Sequence, residues 1–467
     1  MAQQDRSENV EKFDLIVIGS GAGLDVASAA AESGLKVALV EKSRMGGTCL
    51  NRGCIPSKLL IHSADVAQVI RTAEQFGIRV EKFSIDFEKI IRRTNGIIDS
   101  ESDGIRNAFS GIENPRLFPA ECRFIGKKEI LVGGDSVITA EKILLASGTR
   151  PAIPKIEGLE KGTYITSDEA LRLEKQPHVL TIIGGGYIAA ELAHFFGSLG
   201  TKINIIQKRD VLLPREDEEV SQKFTEIFSG RYNVHLGFDT QRVTRKDNDT
   251  VVVSAKSSKT GENIEIESDQ LLLATGRVPN SDTLALDLAG VRVDKRGYIA
   301  VDEFLETSVK GVFALGDAVG KYPFRHGANL EAQYAFNNIS RPDKKIPVNY
   351  TAMPHAIFSS PQVASAGHTE QELRAKGVKY SKSVYPYAQT AMGQAIEDND
   401  GFVKFLVGKD DGKILGCHIL GTDASILIHE VLVSMRAGTG AIRDIQRTVH
   451  IHPALSEVVS RAADAVR

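Results

Sequence analysis

The stretch "FDLIVIGSGAGLDVASAAAESGLKVALVEK", Phe13 to Lys42, decides the fold. Leu15 to Ile18 form a short apolar run that stops at glycine, which reads as a buried strand. Gly19, Gly21 and Gly23 make a turn able to bring backbone close to a phosphate, and the small residues after it read as a helix. A second apolar run, Val37 to Val40, ends in Glu41, 22 residues after Gly19. A carboxylate at the end of the second strand can accept hydrogen bonds from a ribose. The stretch is therefore a βαβ unit that binds a dinucleotide. One position departs from the pattern. Leu24 stands where glycine or alanine is usual, and predicts a helix set slightly further from the sheet.

The same order recurs in "HVLTIIGGGYIAAELAHFFGSLGTKINIIQKRD", His178 to Asp210. Its turn is Gly184, Gly185, Gly186, followed by Tyr187, Ile188 and Ala189. Each copy has a later echo, "KILLASGTRP" (Lys142 to Pro151) and "LLLATGRVPN" (Leu271 to Asn280). The chain thus carries two related nucleotide modules. At the ribose-reading position the second copy has Gln207 in place of an acid, followed by Lys208 and Arg209. A neutral residue flanked by cations accepts a 2′-phosphate, which leans toward NADP(H). The other reading leaves Lys208 and Arg209 as solvated charges, with NAD(H) bound. From about Tyr350 the character changes. "AIFSSPQVASAG", "GFVKFLVG" and "KILGCHIL" read as strands, "DASILIHEVLVSMRAG" as a helix, and no glycine-rich nucleotide turn is present.

Composition bounds the function. A chain of 467 residues needs more than one core. It is 42% hydrophobic and 25% charged, with net charge −3 from 57 basic and 60 acidic residues. That balance argues against nucleic acid or an anionic membrane as partner. No apolar run is long enough to cross a bilayer, and the first residues, "MAQQDRSENVEKFD", have no signal core. The expected location is the cytoplasm.

Four cysteines occur: Cys49, Cys54, Cys122 and Cys417. Zinc commonly takes two close pairs, and only one exists, in "MGGTCLNRGCIPSK" (Met45 to Lys58); no metal site is expected. A static staple over so small a loop adds little stability. A redox pair beside a bound electron carrier fits better. Cys54 opens a helix, with Pro56 in its first turn, and a helix N-terminus favours the thiolate. A dithiol also needs a proton acceptor. "HIHPALSE" offers His450, His452 and Glu457, with the carboxylate placed to orient the imidazole of His452.

These motifs together resemble the FAD-containing pyridine nucleotide–disulfide oxidoreductases, from about Phe13 to the C-terminus. "GGTCLNRGCIPSK" matches their redox segment, "TSVKGVFALGDAV" their second flavin-contacting segment, "GGGYIAAEL" their nicotinamide-side motif and "HIHPALSE" their base motif. The implied fold is α/β, with two Rossmann-like dinucleotide-binding domains, for FAD and NAD(P), and a C-terminal α+β dimerisation domain. The implied boundaries are 1–150 and 276–348 for FAD, 151–275 for NAD(P) and 349–467 for dimerisation.

The resemblance also implies roles. Cys54 lies against the flavin as a thiolate and Cys49 meets the substrate. His452 with Glu457 serves as base from the other subunit of a homodimer. Lys58 pairs with Glu191 near flavin N5, and Asp317 binds the ribityl chain. Further flavin contacts are expected from Gly19, Gly21, Gly23, Glu41, Gly47 and Thr48, and from Ser147, Gly148, Gly316 and Ala328. Nicotinamide-coenzyme contacts are expected from Gly184, Gly186, Tyr187 and Ile188, from Gln207, Lys208 and Arg209, and from Gly276 and Arg277. "CLNRGCIPSKLL" is most similar to the dihydrolipoamide dehydrogenases, whose substrate is a lipoyl dithiol, free or on a lipoylated protein. "HGANLEAQ" (His326 to Gln333) is similar to the mycothione reductases, which implies an NADPH-dependent reductase of another small disulfide. The first helix lacks the arginines of glutathione reductases, and the C-terminus lacks the cysteine pair of mercuric reductases. Arg52, inside the cysteine loop, reads equally as a selector of anionic substrates or as a solvent-facing side chain. A reading of another class is a non-catalytic flavoprotein subunit of a larger complex.

Overall fold

The computed structural model describes residues 10–246 and 250–467. They form two units. The first holds the chain up to Ser57, Ile91–Ala152 and Arg277–Asn349; the second holds Lys58–Ile90, Ile153–Gly276 and Tyr350–Arg467.

The first unit is built on a sheet begun by β1 (Val10–Ile18) and β2 (Val37–Val40), joined through helix α1 (Gly23–Glu32). The cysteine segment follows as helices α2 (Gly47–Arg52) and α3 (Cys54–Thr72), of which α3 belongs to the second unit from Lys58 onward, and α4 (Phe87–Ser110) rejoins the first unit at Ile91. The sheet is completed by β3 (Arg116–Phe118), β4 (Cys122–Phe124), β5 (Glu129–Val132) and β6 (Ser136–Leu145), with Val312–Ala314 beside β6. Its order is β3-β2-β1-β6-β5-β4. β1 pairs parallel with both β2 and β6. Alternation decides the layers. Ile16, Ile18, Ala38 and Val40 enter the core on one face; Leu15, Val17, Val37 and Leu39 enter the core on the other, with α1 and the helix Arg325–Ser340. Leu24 does not hold α1 off the sheet. The close approach falls one residue earlier, where a Cβ on Gly23 would lie 2.9 Å from the Val17 side chain, and Leu24 packs at the border of the core. The two echo segments meet each other: Thr149–Pro151 and Arg277–Pro279 form an antiparallel pair.

The second unit contains a five-stranded parallel sheet. Its order is Asn233–Leu236, Lys202–Gln207, Val179–Ile183, Gln270–Leu273 and Ile165–Thr166. A three-stranded antiparallel sheet, Phe238–Arg245, Val251–Ser257 and Asn263–Ser268, accompanies it. The C-terminal sheet is antiparallel, with Pro354–Ile357, Gln362–Gly367, Ile414–Gly421, Phe402–Gly408 and Tyr380–Pro386 in that order. Helices Ala424–Arg436 and Glu457–Asp464 cover its core. On Phe402–Gly408, one strand in from the edge, Lys404 is fully buried, which only a set of counter-charges permits. Its ammonium lies 2.8 Å from Asp217 and 2.6 Å from Glu370.

Candidate active site

In the first unit the glycine turn is closed on one side and open on another. Gly19 has φ +105°, and a Cβ there would lie 2.3 Å from the Ala146 carbonyl oxygen. A Cβ on Gly21 would meet nothing within 4 Å, so the turn leaves room above it. Gly47 has φ +65°, and a Cβ there would strike Gly21 Cα at 2.8 Å. Two glycine backbones thus lie side by side. Glu41 is stitched to the turn: Oε2 accepts from the Ser20 N–H (2.9 Å) and hydroxyl (2.8 Å), and Oε1 from the Ser43 N–H.

The far wall is polar. The Ser147 hydroxyl is buried and has no hydrogen-bond partner among the described residues. Gly148, with φ +65°, adjoins open space. Thr149 donates to Asp317 Oδ2 at 2.9 Å, and Gly316, also at positive φ, donates its N–H to Glu331 and stands against Ala328. An open glycine cradle, a carboxylate at the end of the second strand and an orphaned hydroxyl fit a flavin dinucleotide. Arg277 lies in this unit, where its guanidinium donates to the Thr149 hydroxyl and carbonyl at 2.8 Å each. The sequence reading grouped it with the nicotinamide residues; the polypeptide changes unit between Gly276 and Arg277.

The cysteine segment is held locally. Gly53 breaks the helical path between α2 and α3 with φ −146° and ψ −113°. The Asn51 amide donates to the carbonyls of Met45 (2.8 Å) and Gly47 (3.0 Å), closing the loop on itself. Cys49 and Thr48 sit half-buried in α2, and Cys54 is exposed as the first residue of α3. The other two thiols are quenched. Burial, helped by Glu41, pushes Cys122 up to about 12, and complete burial pushes Cys417 well above the ordinary thiol value. Both are held in the unreactive thiol form by burial.

The second unit repeats the cradle. Gly184 has φ +118° and packs on the Ala274 carbonyl, and Gly186 and Gly276 face open space. Tyr187 and Ile188 begin the helix Tyr187–Ser198. That helix is laced to α3 by polar rungs: Lys58 to Glu191, Asp65 to His194 at 2.7 Å, and Arg71 to the Ser198 carbonyl. The first rung is the expected pair. Lys58 Nζ lies 2.9 Å from each oxygen of Glu191, which is only 7% exposed. Glu191 also accepts the Phe358 N–H at 3.0 Å, and the Phe358 ring lies under the ammonium at 4.5 Å.

At the C-terminus the expected base has its orienter. His452 Nδ1 is 3.1 Å from both oxygens of Glu457. The hydrogen bond from His452 holds the Glu457 carboxyl below its usual range. The imidazole itself is open, with 72% of its side chain exposed. His450 secures the segment by binding Glu430 at 2.5 Å.

Residues 13–335 match the family model described as pyridine nucleotide–disulphide oxidoreductase, and residues 353–463 match its dimerisation domain. The chain belongs to that oxidoreductase family. It is 33% identical to the mycothione reductase of Mycobacterium tuberculosis over 98% of this chain and 100% of the relative. It is 34% identical to the dihydrolipoyl dehydrogenase of Chlamydia muridarum, covering 97% and 96%. A solved structure of the HOCl-induced flavoprotein disulfide reductase RclA from Escherichia coli superimposes with a TM-score of 0.86 at 27% identity, over 97% and 100% of the two chains. The family uses FAD and NAD(P)H. Among the described residues no helix is long and apolar enough to cross a membrane, and no cluster of metal-binding side chains occurs.

Several members of this oxidoreductase's site went unread in the sequence. Phe358 lies inside "AIFSSP", a strand-like run that gives no sign of an aromatic set beneath a lysine. Glu331 lies within the quoted "HGANLEAQ", but its bond to the Gly316 backbone is a tertiary fact. Thr149 stands in an echo motif, and the pairing of the two echoes would have pointed to it.

Proposed function

We propose that this protein is a homodimeric FAD enzyme that passes electrons between a small dithiol or disulfide, the Cys49–Cys54 pair, flavin and NAD(P), acting foremost as a dihydrolipoyl dehydrogenase. FAD and NAD(P), when bound, supply the hydride transfer. The protein does the sulfur chemistry. A substrate thiolate attacks Cys49, the Cys49–Cys54 bond breaks, and its electron pair stays on Cys54 as thiolate. The second substrate thiol then displaces Cys49, forming the product disulfide. His452 takes the proton of the attacking thiol at Nε2. The Glu457 carboxylate binds the Nδ1 proton, leaves Nε2 as the basic nitrogen and stabilises the imidazolium that results. Lys58 holds a positive charge in place through Glu191 and Phe358.

The observation that carries this reading is the His452–Glu457 pair, an oriented imidazole with an open ring, in a chain where burial holds the other two cysteines as thiols. A passive flavoprotein subunit has no use for such a base. Dimer formation is supported by the dimerisation-domain match and by apolar side chains left in water around the base. Val449 is 95% exposed and Ile451 77%, and Ile426 and Val433 protrude from the helix Ala424–Arg436. The second reading, reduction of a mycothione-type disulfide, draws on the mycothione reductase relatives and on "HGANLEAQ". Rates with dihydrolipoamide, a lipoylated protein and small disulfides, each with NAD(H) and NADP(H), separate the two. No turnover of dihydrolipoamide with either coenzyme overturns the lipoyl assignment.

A further inference from the structure

The strand Lys202–Gln207 ends where the adenosine ribose of a nicotinamide coenzyme is read in this kind of fold. Gln207 is buried there. Its amide nitrogen donates to the Val211 carbonyl at 3.2 Å, and a Cβ on Gly185 would lie 2.6 Å from that nitrogen, so the amide is wedged behind the glycine turn. Its oxygen accepts no hydrogen bond among the described residues, which leaves an acceptor for a ribose hydroxyl. The cations beside it are not equivalent. Lys208 Nζ lies 3.0 Å from Asp239 Oδ2, and Asp239 stands on the strand Phe238–Arg245. The other nearby carboxylate, Asp210, is held by Lys259 at 2.8 Å. Arg209 forms no ion pair among the described residues. The acid missing from the end of the strand is therefore supplied from the side, through Lys208.

We propose that Asp239 determines the choice of coenzyme. It withholds Lys208 from a 2′-phosphate and places a negative charge where that phosphate would arrive, and so turns the enzyme toward NAD(H). The inference rests on the second glycine turn being the nicotinamide-coenzyme module. It reverses the lean of Gln207, Lys208 and Arg209 taken by themselves.

The test uses the FAD-loaded dimer and two probes, 2′,5′-ADP and 5′-ADP, with binding measured by calorimetry. Asp239→Asn should tighten 2′,5′-ADP by ~2- to 5-fold, the scale of one exposed charge pair, and leave 5′-ADP unchanged. The gain should fade at high salt, since exposed charges are screened. Lys208→Met in the Asp239→Asn background should abolish it. The ratio of kcat/KM for NADPH over NADH should rise in parallel. An unchanged 2′,5′-ADP affinity, or an equal change for both probes, overturns the role of Asp239. If the native enzyme binds neither probe and its flavin is not reduced by either coenzyme, the reading of the module falls, and the inference with it.

Discussion

Replacing Glu191 by Gln removes the charge of the Lys58 partner while keeping its shape. The carboxylate accepts two hydrogen bonds from Lys58 at 2.9 Å and one from the Phe358 N–H at 3.0 Å. Breaking a fully buried ion pair costs roughly 3–5 kcal/mol. Lys58 keeps 35% of its side chain in water and retains the Phe358 ring, and glutamine can still accept the backbone N–H. The stability loss therefore shrinks to ~1.5 kcal/mol; expressed in full at the barrier to hydride transfer, where the resemblance puts the Lys58 charge, the same energy is about tenfold in rate. The assay is anaerobic stopped-flow reduction of the bound flavin by NADH or NADPH. Glu191→Gln should slow it about tenfold, while alkylation of Cys49 after treatment with a dithiol proceeds as in the native enzyme. A flavin reduction rate within about twofold of native, together with a lowered Tm, would refute the reasoning and leave the pair purely structural.

Three further outcomes are expected. His452→Ala should lower dithiol oxidation by ~10²- to 10⁴-fold, the usual worth of a general base, and spare the reduction of an artificial electron acceptor by NADH or NADPH; equal loss in both assays would place His452 elsewhere. Gly19→Ala sets a side chain at φ +105° and 2.3 Å from a carbonyl oxygen, so the protein should purify depleted of flavin, as its absorbance spectrum will report. Glu370 is raised by burial but held at about 2 by its bonds to Lys404 and Tyr380. A carboxyl held low in the fold contributes stability that is present above its ordinary range and lost as pH falls toward 2. Lys404→Met removes that hold and strands Asp217 and Glu370 together, so it costs ~3–5 kcal/mol at neutral pH, and the deficit against native narrows as pH falls and the two carboxyls take up protons, measurable in urea melts across pH.

Much of this was legible because the deciding signals are local. Strand Val37–Val40 is visible as a run of four apolar residues, and the glycine turn precedes its helix directly. The strand Tyr380–Pro386 was not read, since as an edge strand its "YSKSVYP" mixes polar and apolar residues without a clean alternation. In the site, residues in fixed motifs were found, and those that act through tertiary contact were not. Asp239 is the sharpest case. It lies 31 residues from Lys208, and only the packing of one strand beside another brings the two charges together. Arg52 is exposed on α2.

The central claim is that electrons reach flavin through Cys49 and Cys54. Mass-spectrometric thiol counting on the FAD-loaded dimer tests it directly. The oxidised enzyme is treated anaerobically with one equivalent of NADH, NADPH or dihydrolipoamide, alkylated, and digested. Two new thiols per chain are expected, on Cys49 and Cys54 alone, and none in Cys54→Ser. Reduced flavin with no new thiol, or new label on Cys122 or Cys417, would contradict it.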